Sequence, residues 1–506
     1  QNANAVAGSA LTLSSGGTLS LRADADATFT NASFTMITGG INNLQVNRLT
    51  GAGNNRTLTI ANNAGLGNGA TTINVTSTNG DTLVFGSSFG VSGNGSSAWG
   101  GPETAFNLSG ANVILNGMST SDGGMSVSSA TGNSLTVNGN VSCFVARTIY
   151  AKVNSGILTL NDTFTCPFSG ANWGFTAILN GGTWNLNNAN AINGNAATSG
   201  HGSALATLQI SGGTLDNSSG TNLTLNNPTV AINGAGSFTF QGSTNLNLGT
   251  GAVAMNTSGQ ITVAANTLTI GGAIADGGSG YGLTKDGSGT LTLNGVNTYT
   301  GATVVNAGTL AGTGTIAGAV TVNSGATLAP GGNFNAMTIT GNLTLTAGST
   351  NTFNVNGSTP ANDAIALGGS VTYDGVLNVV PTGTFSAGQT FTLFSGAGAA
   401  SASNFASVQS MNPAVTFTFT NGVLTVASVS VGPGGPEYLT NSYSASTHTL
   451  SLAWPAGEGW RLQMQTNSLS KGLGTNWQYI TDGSVSGTNI TVDPTVPTVF
   501  YRLTYP

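Results

Sequence analysis

Cysteine, histidine and glutamate, the residues most often recruited for chemistry, number only two, two and three in a chain of 506 residues. The cysteines stand in matching places. Leu135-Thr-Val-Asn138 is answered 23 residues on by Leu158-Thr-Leu-Asn161, and Cys143 is answered by Cys166 at the same offset. If the two segments are neighbouring strands, residues at one phase lie about 4.8 Å apart, inside the roughly 4.4–6.8 Å Cα range of a disulfide. In an exported chain that spacing predicts a Cys143–Cys166 disulfide. The alternative is a pair of reduced thiols filling a core. A metal would need further ligands, and His201 and His448 are far away in sequence, so no metal site is expected.

Carboxylate chemistry has little to draw on. Glycosidic-bond cleavage and its relatives need clustered acids, with a base nearby. The glutamates are Glu103, Glu437 and Glu458, and the aspartates are mostly isolated. Asp24 and Asp26 share a strand face, with Arg22 as their only basic neighbour. Asp162 and Asp286 fall where turns are expected and read as solvated turn residues. Neither histidine has a Gly-x-Ser-x-Gly elbow around it. The glycine-rich stretches lack the Gly-Lys-Ser/Thr of a phosphate loop, and no recurring Asp marks calcium-binding turns. The expectation is therefore no catalytic residue, no cofactor and no enzyme activity.

Composition points the same way. Charged residues make up 5% of the chain, against about 25% in ordinary soluble proteins. The nine Lys and Arg are scattered over Arg22, Arg48, Arg56, Arg147, Lys152, Lys285, Arg461, Lys471 and Arg502, too few for a nucleic-acid or anionic-membrane face. No apolar run approaches the roughly 18 residues of a membrane span. The chain starts at Gln1, which reads as a mature form with its signal peptide removed.

Such a chain needs an architecture that buries apolar residues without one large globular core. With 77 glycines and 39% hydrophobic residues, its apolar side chains fall in bursts of four to six between Gly-Gly, Asn-Gly and Ser-Gly. Within a burst, Leu, Val and Ile alternate with Thr, Asn and Ser, so one strand face is apolar and the other polar. The bursts recur. Leu223-Thr-Leu-Asn226 leads to Leu246-Asn-Leu248, and Leu268-Thr-Ile270 leads to Leu291-Thr-Leu293. The step then shortens through Gly308-Thr-Leu310 and Ala326-Thr-Leu328 to 19 and 18 residues. A step of this size is one coil of an all-β parallel β-helix, too short for a propeller blade. About 21 residues per coil would give on the order of 20 coils and a rod of about 100 Å. Asn138, Asn161, Asn226 and Asn294 at the turns suit left-handed backbone and stacked amide ladders. Residues 86–125 have the weakest period, with Trp99-Gly-Gly-Pro102 as a candidate protruding loop.

The stretch from Gly282-Leu-Thr-Lys285 through Gly289-Thr-Leu-Thr-Leu293 to Ala307-Gly-Thr-Leu310 resembles the autotransporter-associated (passenger-associated) β-strand repeat. The resemblance continues through Ala326-Thr-Leu-Ala-Pro-Gly-Gly332 and Gly341-Asn-Leu-Thr-Leu-Thr-Ala-Gly348 to Thr390-Phe-Thr-Leu-Phe394. It is close over 282–426 and looser over 1–281. It implies a long right-handed parallel β-helix at the cell surface or in secreted material. Handedness comes from the resemblance alone. Autotransporters end in a membrane barrel of many ~10-residue strands. Residues 437–506 are too few for one, so export and anchoring are expected to use another route.

The domain reading is a β-helix over 1–431, with its clearest repeats at 281–431, then a linker at 432–436 (Gly-Pro-Gly-Gly-Pro), then a module at 437–506. Strands are predicted in that module at Thr449–Trp454, Trp460–Thr466, Trp477–Thr481, Asn489–Val492 and Val499–Thr504, giving a small C-terminal β-sandwich. Its layout resembles tail domains of large secreted bacterial repeat proteins. Trp454, Trp460, Trp477 and Tyr479 are candidate partner or glycan contacts, with core packing as the alternative. The functional expectation is a secreted, extracellular structural protein of the cell surface or matrix. It would self-associate head to tail into a homopolymeric filament through the solenoid ends and the C-terminal module. A glycan-binding adhesin is the alternative, and a polysaccharide-active enzyme the least favoured.

Overall fold

The computed structural model describes residues 8–504, apart from 9, 23, 32, 37–39, 48–54, 63, 67–70, 87–88, 92–102, 121–123, 131, 144–148, 166–174, 193–205, 235, 333, 430–439, 455–459, 467–472, 476, 482–483 and 493–498. The described residues are almost entirely strand and turn, with one short 3-10 turn at Ala397–Ala399.

The alternation read from the sequence becomes a coil with three faces. Strands such as Ser134–Val137, Ile157–Leu160 and Thr267–Ile270 all alternate between half-exposed and buried residues. Each stacks parallel on its counterpart one coil away. Leu135 faces Leu158, Leu223 faces Leu246, and Leu268 faces Leu291. Leu291 then faces Leu310, which faces Leu328. The offsets seen in the sequence are thus the registers of the sheets. Buried Leu, Val, Ile and Phe from Leu13 to Val426 join into one continuous core.

One face is a single sheet of 15 strands, from Ala27–Phe29 to Val371–Thr372. The other two change sheets along the rod. In chain order, the ten-strand sheet that starts at Leu223–Thr224 takes the place of the seven-strand sheet that ends at Phe164–Thr165. A five-strand sheet from Val296–Asn297 likewise follows an eleven-strand sheet ending at Ile274–Ala275. Fifteen strands at about 4.8 Å span roughly 70 Å, less than the expected 20 coils. The first coils are longer than the expected step: Asn43, Asn74 and Asn107 stack at separations of 31 and 33 residues. The stretch 86–125 belongs to this stack. It supplies strands Phe89–Val91, Glu103–Ser109, Asn112–Leu115 and Met118–Thr120, with Phe89, Phe106 and Leu108 buried. Trp99–Pro102 lies outside the described residues.

Glycine is required where corners stack. A Cβ on Gly272 would lie 1.8 Å from the carbonyl oxygen of Gly251, and one on Gly295 would lie 2.2 Å from that of Gly272. Only a residue without a side chain permits that approach.

At the C-terminal end the geometry changes. Strands Thr390–Thr392, Val423–Val429 and Val415–Thr420 form an antiparallel sheet. Its hairpin turns through Asn421 and Gly422, both at positive φ, as an Asn-Gly turn favours. Phe419 of this hairpin packs on Tyr373, Phe394 and Phe405, with ring centroids 5.0, 5.8 and 4.9 Å away. The Tyr373 hydroxyl donates to the Ala399 carbonyl at 2.8 Å. The sheet and its aromatic plug close the end of the coil. At the other end, Ala10–Leu13, Thr18–Arg22 and Ala27–Phe29 each pair on one side only among the described residues.

The C-terminal module has its own core of Leu452, Trp454 and Leu462, with Leu450, Trp460, Ile490, Tyr501 and Leu503 packed against it. Two three-stranded antiparallel sheets supply these residues, apart from Trp454 and Trp460, which lie one residue outside the strands Thr449–Ala453 and Arg461–Thr466. One contains Thr440–Ser444, Thr449–Ala453 and Gly487–Thr491, and the other Gln478–Tyr479, Arg461–Thr466 and Val499–Thr504.

Phe419→Ala should remove the centre of the plug at a cost of about 3–5 kcal/mol. Hydrogen exchange should then show lost amide protection over 376–429 and unchanged protection over 134–160, because a coil communicates mainly with its neighbours.

Candidate functional site

The polar side chains that could do chemistry are mostly engaged by the backbone. Eight aspartates accept backbone N–H groups: Asp26 from Thr57, Asp81 from Arg56, Asp162 from Thr163, Asp216 from Ser243, Asp276 from Gly278, Asp286 from Gly287, Asp363 from Phe334 and Asp374 from Gly375. Several of these bonds join adjacent coils. Asp162 lies at a bend, as expected, whereas Asp286 is the last residue of the strand Leu283–Asp286, just before the bend at Gly287. Asp24 and Asp26 are both exposed. Among the described residues, no three His, Cys, Asp or Glu come together as metal ligands. His448 lies in the C-terminal module, with Nδ1 3.2 Å from the Tyr443 hydroxyl. His201, Glu437 and Glu458 lie outside the described residues.

Asp276 shows what such a carboxylate does. Gly280, Tyr281 and Thr300 donate backbone N–H groups to one oxygen and Gly278 to the other, while the Thr300 hydroxyl adds a further bond. Burial pushes its pKa up, but the hydrogen bonds outweigh this and hold it at about 2. The carboxylate ties a wide turn to the next coil.

Amide ladders run along the outside. Asn161 donates to Asn138 at 2.8 Å and Asn187 to Asn161 at 2.8 Å. Asn226 bonds Asn190, and the Asn294 side chain accepts from the Thr313 N–H at 3.1 Å. The turn asparagines named in the sequence are therefore structural.

The most unusual residue is Lys285, which is fully buried. It faces Ile261 on one side and Val305 on the other, so its side chain occupies a row of the apolar column. Its Nζ donates to the carbonyls of Asp286, Gly287 and Ala307 at 2.8, 2.8 and 3.0 Å. Nearby, the buried Asn297 donates to the Gly295 and Thr315 carbonyls at 3.0 and 2.9 Å and accepts from the Ile274 N–H at 3.1 Å. The Tyr299 hydroxyl lies 2.6 Å from that of Thr303. Sequence reading placed Lys285 with Asp286 at a turn. The overlooked signal was its alternation with Leu283, which puts it on the inward side.

Residues 283–311 match the passenger-associated-transport-repeat family model. The matched repeat therefore contains this buried trio of Lys285, Asn297 and Tyr299, each hydrogen-bonded inside the coil. Among curated proteins none matches the chain.

The candidate contacts in the C-terminal module separate into two groups. Trp454 is buried and Trp460 is packed on the module core, so both serve packing. Trp477 is half-buried, and Tyr479 is 56% exposed. Both lie against arginines: the Arg502 guanidinium is 4.2 Å from the Trp477 ring centroid, and that of Arg461 is 5.7 Å from the Tyr479 centroid. The structure thus supplies two cations that sequence reading had set aside as scattered.

For the cysteines, the strand Val141–Cys143 pairs with Phe164–Thr165, Ser142 facing Thr165. Cys166 lies outside the described residues, and the disulfide is a proposal. Alkylation of the unreduced, denatured chain should add nothing to its mass, and alkylation after reduction should add two groups. Two additions without reduction would exclude the bond.

Lys285→Met should leave three carbonyls without their donor and cost about 1–3 kcal/mol. Burial pulls the Lys285 ammonium down to about 8, and the Asp286 charge offsets only part of this. The folded chain then loses this proton before the unfolded one does, so between pH 8 and about 10.5 the unfolded state binds more protons and stability rises with pH. Denaturant midpoints across that window should show the rise in the natural chain and not in Lys285→Met.

Proposed function

We propose that this chain is an exported structural rod, of the kind an autotransporter passenger forms, standing at the cell surface or in the extracellular matrix. The observation that carries this reading is the unbroken 15-strand face, backed by a continuous apolar core. It makes a long, stiff, sparsely charged body, and its described aspartates bond backbone N–H groups. The passenger repeat at 283–311 supports export. We take the coil as right-handed, because crossovers between parallel strands are so in nearly all sheets. The two sheets of the C-terminal module facing a shared core read as a small sandwich. The chain is read as having no enzyme activity.

Self-association into a filament is the finer reading. The three strands at 10–29 offer free edges among the described residues, and a free strand edge templates pairing. The opposite end is closed by the antiparallel cap, so a head-to-tail contact would reach the next subunit through residues 437–506. Low charge leaves little repulsion between subunits.

Negative-stain microscopy and sedimentation over a range of concentrations test both levels. Filaments that lengthen with concentration are expected. Discrete rods at every concentration would remove the filament and keep the rod, and round particles would remove both.

The rod should also resist trypsin. Between Lys152 and Arg461 the only basic residue is Lys285, and it is buried. Limited digestion of the folded chain should leave a fragment spanning 153–461. Rapid cleavage after Lys285 would contradict the fold.

A further inference from the structure

The 15-strand face turns one side into the core and one side out, and the outer side is marked by what it lacks. Ile157, Thr183, Thr214, Thr239 and Thr262 stand in register one above the next. Further along the rod, Thr284 leads through Val304, Thr321 and Thr344 to Thr372. All are half-buried except Thr372, which is exposed. Each packs on its neighbours in the sheet and stays open to water above it. Among the described residues this side carries no lysine, arginine or aromatic ring. Its two carboxylates are engaged: Asp216 is buried and accepts from Ser243, and Asp286 accepts from the Gly287 N–H. By contrast, the outer side of the eleven-strand sheet carries Arg22 and Lys152.

The size of this face suits a partner. Its 15 strands span roughly 70 Å at about 4.8 Å each. Most run three or four residues, which makes the face roughly 10–13 Å wide at about 3.3 Å per residue. The product is about 700–900 Å², and a standard interface takes roughly 800 Å² from each partner.

We propose that this face is an interface with a second copy of the chain, two rods lying side by side with their 15-strand faces in contact. A threonine hydroxyl both donates and accepts, so a threonine row is complementary to itself, as a two-fold interface requires. The methyl groups of Thr, Val and Ile supply apolar contact between the rows, and no like charges oppose it. Without a cation the face has no hold on a nucleic acid, and without an aromatic ring it has no platform for a sugar. Thr214 lies on Thr214–Asp216, the eighth of the 15 strands. A two-fold axis through the middle of the face therefore sets Thr214 close to its own copy. Sideways pairing is separate from the head-to-tail contact, and its failure would leave the rod and filament readings in place.

The test is negative-stain microscopy, which separates width from length, together with sedimentation velocity on the intact chain. The natural chain should show rods of double width, and added salt should not part them. Thr214→Glu brings two like charges together across the axis and should weaken pairing about 10-fold or more. Salt should restore part of that loss, because it screens the repulsion. The neutral Thr214→Gln should pair as the natural chain does, and so should Thr292→Glu, which puts the same charge on the outer side of the ten-strand sheet. Unchanged circular dichroism and melting would show that the coil is intact in Thr214→Glu. Should that variant fail to fold, Thr183→Glu supplies the charge one rung away. Rods of single width in the natural chain at every concentration, or unweakened pairing in a folded Thr214→Glu, would overturn the proposal. Equal loss in Thr292→Glu would move the contact to another face and overturn it as well.

Discussion

The whole structure depends on register between coils. A strand of four residues cannot satisfy its own amides or hide its own leucines. Stacked in parallel on its counterparts, it bonds above and below and adds its inward side chains to a shared column. Leu135 on Leu158 and Leu268 on Leu291 are single instances of that constraint. Every inward position must be apolar or internally satisfied, and every corner must let one backbone pass close over another. The glycines at 251, 272 and 295 meet the second condition. Lys285 meets the first by finding three carbonyls.

The same constraint explains where the polar groups went. Corners between strands expose N–H groups that no ladder reaches, and an unpaired buried N–H is costly. Aspartates and asparagines fill that need. Asp276 alone accepts four backbone N–H bonds across a turn and the next coil. Its hydrogen bonds hold the Asp276 carboxylate ionised and fixed in place.

A stack also has ends, and the two ends differ. The aromatic plug of Tyr373, Phe394, Phe405 and Phe419 replaces the next coil at one end, burying the last rung under an antiparallel hairpin. The C-terminal module lies outside this stack, with a separate core of its own.

The sequence by itself determined the alternation, the repeat offset and hence the pairing of strands, because both are local and periodic. It also carried, in the phase of Leu283 and Lys285, the placement of a buried cation. It placed five of the six described strands of the C-terminal module within a few residues, Val499–Thr504 among them, and missed Thr440–Ser444. Tertiary structure alone decided how many coils form, since the 31- and 33-residue early coils have no regular period to read. It decided the cap, whose antiparallel strands carry the same Thr-Phe alternation as a coil strand. It also decided that Arg461 and Arg502, 41 residues apart in sequence, share one face. Such pairings join segments through contacts that leave no repeating mark on the chain.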